Sequence, residues 1–178
     1  MRVALDACVL FPTVLREMLL GAAAAGAFEP VWSARILEEW ARATRKLPEG
    51  AETVARAEIA LLRARWPRAE VAVADDMIAG LSLPDPDDRH VLAATIAGGA
   101  AELVTLNRAD FPPRTLARHG IVLRDPDGFL LELHNAGTDV ARIAAEVCVR
   151  AERASGRPQA LRPLMKRAGL PRLGKALG

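Results

Sequence analysis

Short apolar runs recur along this 178-residue chain, each followed by a stretch with helical periodicity. Val3-Ala4-Leu5, Pro30-Val31-Trp32, Leu103-Val104-Thr105-Leu106 and Ile121-Val122-Leu123 are strand-like, and Glu70 to Val73 reads as another short strand. Helical patterns begin near Thr13, Ala34, Ala51 and Asp88, and a shorter one follows Pro112-Pro113. Strands alternating with helices predict βα units and therefore a mainly parallel sheet. In such a sheet, side chains at strand ends and helix starts share one rim, where ligands bind.

Local signals place several boundaries. Ser33 is the expected N-cap of the helix from Ala34 to about Lys46, whose apolar stripe is Ile36, Leu37, Trp40 and Ala41. Glu38 and Glu39 lie about 100° apart on that helix, so they point different ways. Glu38 has an ordinary partner four residues on, Arg42, whereas Glu39 borders the buried stripe. Leu83-Pro84-Asp85-Pro86-Asp87-Asp88 is rigid loop chemistry leading into the next helix, which Gly98-Gly99 closes. Asp125-Pro126-Asp127-Gly128 reads as a turn into Phe129-Leu130-Leu131-Glu132-Leu133. From Thr138 onward the pattern is helical, interrupted at Gly156 and Pro158. Residues 1–135 are thus expected to form one domain and 136–178 a basic α-helical extension.

Four acids occupy the positions that matter on this layout. Asp6 ends the first strand, Glu39 sits on the helix after the second, Asp88 opens the central helix, and Asp110 follows the strand at Leu103–Leu106. Each has an ordinary role open to it: turn former for Asp6, helix cap for Asp88, Asx-turn for Asp110. Asp85 and Asp87 are equally explained as turn residues around Pro86. Gathered in one pocket, however, four carboxylates repel one another unless a cation lies between them. Carboxylate oxygens without His or Cys ligands suit a hard ion, Mg²⁺ or Mn²⁺, bound singly or as a pair. Such a site polarises a phosphodiester and acidifies a bound water.

Charge narrows the ligand class. Residues 150–178 hold eight Lys or Arg against one acid, Glu152, so this segment carries +7 and residues 1–149 carry −5 of the net +2. A basic tail on an acidic body suits a phosphate polymer, and equally suits a merely solvated surface. No apolar stretch is long and uncharged enough to span a membrane. Arg2 followed by an apolar region resembles a secretory signal, but Asp6 interrupts its core. Cys8 and Cys148 form neither a disulfide framework nor a zinc spacing, so a reduced, cytoplasmic protein is expected. They read as buried small hydrophobes. His90, His119 and His134 fit no metal-ligand spacing, and His90 has only its proximity to Asp88 to recommend it for phosphate contact.

Four stretches, in order, carry a family resemblance. They are Val3-Ala4-Leu5-Asp6-Ala7-Cys8-Val9-Leu10, Ser33-Ala34-Arg35-Ile36-Leu37-Glu38-Glu39-Trp40, Asp85-Pro86-Asp87-Asp88-Arg89-His90-Val91-Leu92-Ala93-Ala94 and Leu103-Val104-Thr105-Leu106-Asn107-Arg108-Ala109-Asp110-Phe111. Over roughly residues 2 to 125 the chain resembles the PIN-domain nucleases, most closely the VapC-type toxins of bacterial toxin–antitoxin pairs. The resemblance implies a three-layer α/β/α fold with a central mainly parallel sheet. It also implies a Mg²⁺- or Mn²⁺-dependent ribonuclease that pairs as a homodimer and is silenced by an antitoxin protein. The family's acids fall on Asp6, Glu39, Asp88 and Asp110. Thr105 and Asn107 match polar positions near them, Asp85 is placed just outside, and Arg89 or Arg108 would steady the phosphate.

Two departures stand out. Cys8 replaces the usual Ser, Thr or Asn, and a thiol is a poorer partner for a hydrated cation. Asn107 stands where some relatives carry a further acid, which favours one metal over two. Both support a rival reading, a catalytically weak RNA-binding or protein-interaction module. A Mg²⁺-dependent receiver or phosphatase would need a second acid beside Asp6 and a well-placed Lys. Ala7 and Cys8 follow Asp6, and the three lysines are Lys46, Lys166 and Lys175.

Overall fold

A computed structural model describes residues 1–178. In chain order the elements are β1 (Arg2–Leu5), α1 (Ala7–Leu10), α2 (Thr13–Ala24), β2 (Glu29–Ser33), α3 (Ala34–Ala43) and α4 (Ala51–Arg65). Next come β3 (Glu70–Val71), α5 (Asp75–Gly80), α6 (Arg89–Ala97), β4 (Glu102–Val104), α7 (Pro113–Ala117) and β5 (Val122–Arg124). Four helices follow: α8 (Pro126–Asn135), α9 (Val140–Ser155), α10 (Leu161–Arg167) and α11 (Pro171–Leu177). Single 3₁₀ turns occupy Thr44–Lys46, Pro86–Asp88 and Arg108–Asp110.

The five strands are parallel, in the order β3-β2-β1-β4-β5, within a three-layer α/β/α fold. Ala4 is the register centre, paired with Val31 of β2 on one side and Leu103 of β4 on the other. Its neighbours explain that place: Val3, Ala4, Leu5, Val31, Leu103 and Val104 are fully buried, as a central strand covered on both faces requires. The chain builds β1, β2 and β3 outward in one direction, then returns to add β4 on the other side of β1. The order therefore reverses between β1 and β4, and the crevice beyond their carboxyl ends is where parallel α/β sheets bind ligands.

The chain forms two compact units. One comprises residues 1–11 and 29–123; the other comprises 12–28 and 124–178. In the first, α3 begins as expected: Ser33 Oγ accepts from Ile36 N at 3.3 Å, and Ile36, Leu37, Trp40 and Ala41 are its buried residues. Gly98 closes α6 where a Cβ would collide with the Val31 side chain, so the helix end sits on β2 only without one. In the second unit, α2 packs on α9 and α8. Asp125-Pro126-Asp127-Gly128 is the first turn of α8 rather than a free-standing turn. Asp125 caps it by accepting from Gly128 N at 2.8 Å, and Pro126 takes the first helical position, where its missing N–H costs nothing. The strand foreseen at Glu70–Val73 is only Glu70–Val71, and α5 was not foreseen. No helix is long and apolar enough to cross a membrane.

Candidate metal centre

Asp6 leaves the end of β1 with its N–H bonded to Val104 O at 3.2 Å, and its own carbonyl accepts from the N–H groups of Val9 and Leu10. Its carboxylate is not used to cap α1. Instead Oδ2 accepts from Thr105 Oγ1 at 2.6 Å and from Cys8 Sγ at 3.2 Å. Thr105 in turn accepts from Asn107 N at 2.9 Å, and Cys8 Sγ accepts from Leu106 N at 3.2 Å. Asp6, Thr105 and Cys8 thereby staple the end of β1 to the end of β4. Burial, then the charge of Asp6, pushes the Cys8 thiol up to about 12. It stays protonated, which keeps it a donor to Asp6 and makes it neither nucleophile nor thiolate ligand. Cys8 is thus more than an inert apolar filler.

The Pro86–Asp88 turn brings two acids to this crevice. Asp85 Oδ1 accepts from Asp87 N at 2.9 Å, and Asp85 O accepts from Asp88 N at 3.3 Å. Asp88 then opens α6, and its Oδ2 accepts from Asn107 Nδ2 at 3.2 Å. From the other side, the turn Arg108–Asp110 after β4 delivers Asp110. Oxygens of Asp85, Asp88 and Asp110 all lie within 4.8 Å of one another. Like charges so close resist ionisation. Burial first, then the charges of Asp6, Asp110, Asp85 and Glu39, raise Asp88 from 3.8 to about 6.

Asp6, Glu39 and Asp110 therefore all bear on Asp88 by their charge, but the four acids foreseen from sequence do not form one equivalent ring. Asp88 and Asp110 form the tight cluster with Asp85, which the sequence reading placed just outside. Asp6 is anchored beside them, and Glu39 reaches them by its charge. Glu39 Oε1 is instead held at 2.7 Å by His90 Nε2, with Arg35 Nε at 3.6 Å. His90 is 2% exposed, so it is a buried positioner of Glu39 and is not available to an incoming phosphate. Arg108 is exposed in the turn of Asp110, and Arg89 is half-buried at the start of α6; neither pairs with these acids.

Hard oxygen donors alone, three of them within 4.8 Å of one another, fit a divalent cation of the Mg²⁺ or Mn²⁺ type. No histidine or thiolate competes for a softer metal.

Residues 2–109 match the family model described as a PIN domain. The chain belongs to the PIN-domain family. The matched stretch includes Asp6, Glu39, Asp85 and Asp88, and ends one residue before Asp110. Searches against curated proteins and against solved structures each returned no match. PIN domains are generally metal-dependent nucleases, which implies a nucleic-acid substrate.

Proposed function

We propose that this protein is a divalent-metal-dependent endoribonuclease, the toxin component of a bacterial toxin–antitoxin pair. The observation carrying the reading is the carboxylate cluster of Asp85, Asp88 and Asp110 at the crevice beyond β1 and β4, with Asp6 fixed beside it. Asp6, Asp88 and Asp110 would hold the ion, with Asp85 and Glu39 completing the negative field. When bound, the cation supplies positive charge to polarise the phosphodiester and to acidify water.

The chain's own contribution is orientation. Thr105 and Cys8 hold Asp6, Asn107 holds Asp88, and His90 with Arg35 holds Glu39. Carboxylates already fixed need little rearrangement when the charged ligand and substrate arrive. Arg89 and Arg108 are the cations nearest in sequence to Asp88 and Asp110, and would steady the phosphate.

The direct assay incubates single-stranded RNA with the protein and Mn²⁺. Cleavage is expected, lost with chelator, and lowered on the order of 100-fold in Asp6→Asn and in Asp88→Asn. Cleavage that survives both substitutions would overturn the assignment. A second reading, a PIN-like RNA-binding or interaction module with weak catalysis, draws support from Asn107, whose amide occupies Asp88 Oδ2. It predicts metal binding without measurable cleavage. A homodimer, an antitoxin partner and a cytoplasmic location complete the proposal. Sedimentation tests the first, and finding a neighbouring reading frame for a small DNA-binding antitoxin would support the second.

A further inference from the structure

Exposed arginines in this protein are usually neutralised. Arg42 and Arg56 share Glu38, Arg45 pairs with Glu52, Arg63 with Glu70, Arg142 with Glu146 and Arg150 with Glu17. Arg65, Arg68, Arg108, Arg114 and Arg118 are exposed without an acidic partner, and the longest run of such cations begins near the end of α9. Residues 153–178 contain no acid at all. There only Arg172 is paired, through Asp125 at 2.6 Å and Asp127 at 3.1 Å. Arg153, Arg157, Arg162, Lys166, Arg167 and Lys175 are exposed and face no carboxylate; Arg167 touches only the neutral Gln159.

Helix geometry gathers these cations on the solvent side. Leu164 and Met165 are the buried residues of α10, so at 100° per residue Lys166 lies opposite them, with Arg162 and Arg167 on its two flanks, all three exposed. In α11 the buried pair is Leu173 and Gly174, and Lys175 lies outward. α10 packs on both α9 and α11, so all these side chains belong to one compact unit. Uncompensated charge concentrated this way repels itself, and a polyanion relieves it.

Resting on the ribonuclease reading above, we infer that this outer face of α9, α10 and α11 docks the phosphate backbone of the RNA substrate, without reading its bases. Charge complementarity chooses the occupant. No aromatic residue follows Phe129, so base stacking is absent from this face, and no large apolar side chain beyond Val149 is exposed there to enter a lipid surface. Binding of this kind is sequence-independent and steeply salt-dependent, with log K falling by about 0.7 per phosphate contact for each tenfold rise in salt on single strands. Six contacts give a slope of about −4.

Fluorescence anisotropy of a labelled 15-nucleotide oligouridylate, in chelator to prevent hydrolysis, tests this on the full chain between 50 and 200 mM NaCl. The combined variant Arg157→Gln, Arg162→Gln, Lys166→Gln, Arg167→Gln alters only exposed side chains, and its circular dichroism spectrum checks that it folds. It is expected to bind at least tenfold more weakly at 50 mM, with a slope shallower by about 3. Oligothymidylate is expected to bind the wild type within threefold of oligouridylate. A variant that binds within twofold of wild type overturns the inference. So does a glutamate-rich peptide of equal charge that binds tighter than the RNA, which would assign the face to an acidic protein. Cleavage assays separate this from the function proposed above. RNA binding lost in the Gln variant, with no cleavage by the wild type, sustains this docking face and removes the nuclease reading. Intact cleavage with unaltered binding does the reverse.

Discussion

Asp88 is the residue at which the electrostatic account is most exposed to test. Its carboxyl sits at about 6, against 3.8 for the unperturbed group, because it is partly buried among other acids. The folded state therefore binds its proton more tightly than the unfolded chain does. The stabilising effect is fully present below pH 3.8 and is lost as pH rises through about 6. In metal-free protein, Asp88→Asn is accordingly expected to melt above wild type at pH 7, the gap closing near pH 4; differential scanning fluorimetry across that range checks it. Cys8 gives a second prediction. Cys8→Ser keeps a donor to Asp6 and should leave Mn²⁺ affinity within threefold. Cys8→Val removes the donor and should weaken affinity about tenfold, as loss of a ligand-orienting contact does, measured by isothermal titration. Asp6 and Asp88 were legible because each marks the junction of a strand or loop with a helix. Asp85 was legible only as a position just outside the site, since it is the curl of the Pro86–Asp88 turn that carries its carboxylate to Asp110. The bond from His90 to Glu39 was not legible, since it joins residues on separate helices.

Local signals served well where one helix explains itself. Ser33 caps α3, and the spacing of Ile36, Leu37, Trp40 and Ala41 turns Glu39 toward the boundary of the buried stripe. The bond from Ile36 N to Ser33 Oγ is the one side-chain cap of α3, so Ser33→Ala is expected to cost about 1 kcal/mol in urea denaturation. Gly98 serves the seat of α6 on β2. Gly98→Ala forces a methyl against Val31 and should destabilise by about 1 to 3 kcal/mol by the same measurement. Tertiary context overrode the reading elsewhere. Asp125-Pro126-Asp127-Gly128 has turn composition, yet Asp before Pro is equally an N-cap before a first helical residue, and the apolar residues after it favour helix. Such a segment is ambiguous until its neighbours are known.

For the whole molecule, parallel strand order does what no single residue does. It places β1 beside β4, so side chains separated by about a hundred positions in the chain meet at Asp6 and Thr105. A mainly parallel sheet was readable from the alternation of strands and helices; its strand order, with the reversal between β1 and β4, was not, because apolar runs do not state which neighbour they pair with. The central claim is that this reversal builds a cation site whose empty form is strained by its own charge. Thermal melting at pH 7.5 with increasing Mn²⁺, on wild type and Asp88→Asn side by side, tests it most directly. Wild type is expected to gain stability logarithmically with Mn²⁺ above Kd, about 2.7 kcal/mol at a hundredfold excess, while Asp88→Asn starts higher and gains little. Equal gains in both proteins, or none in wild type, would contradict it.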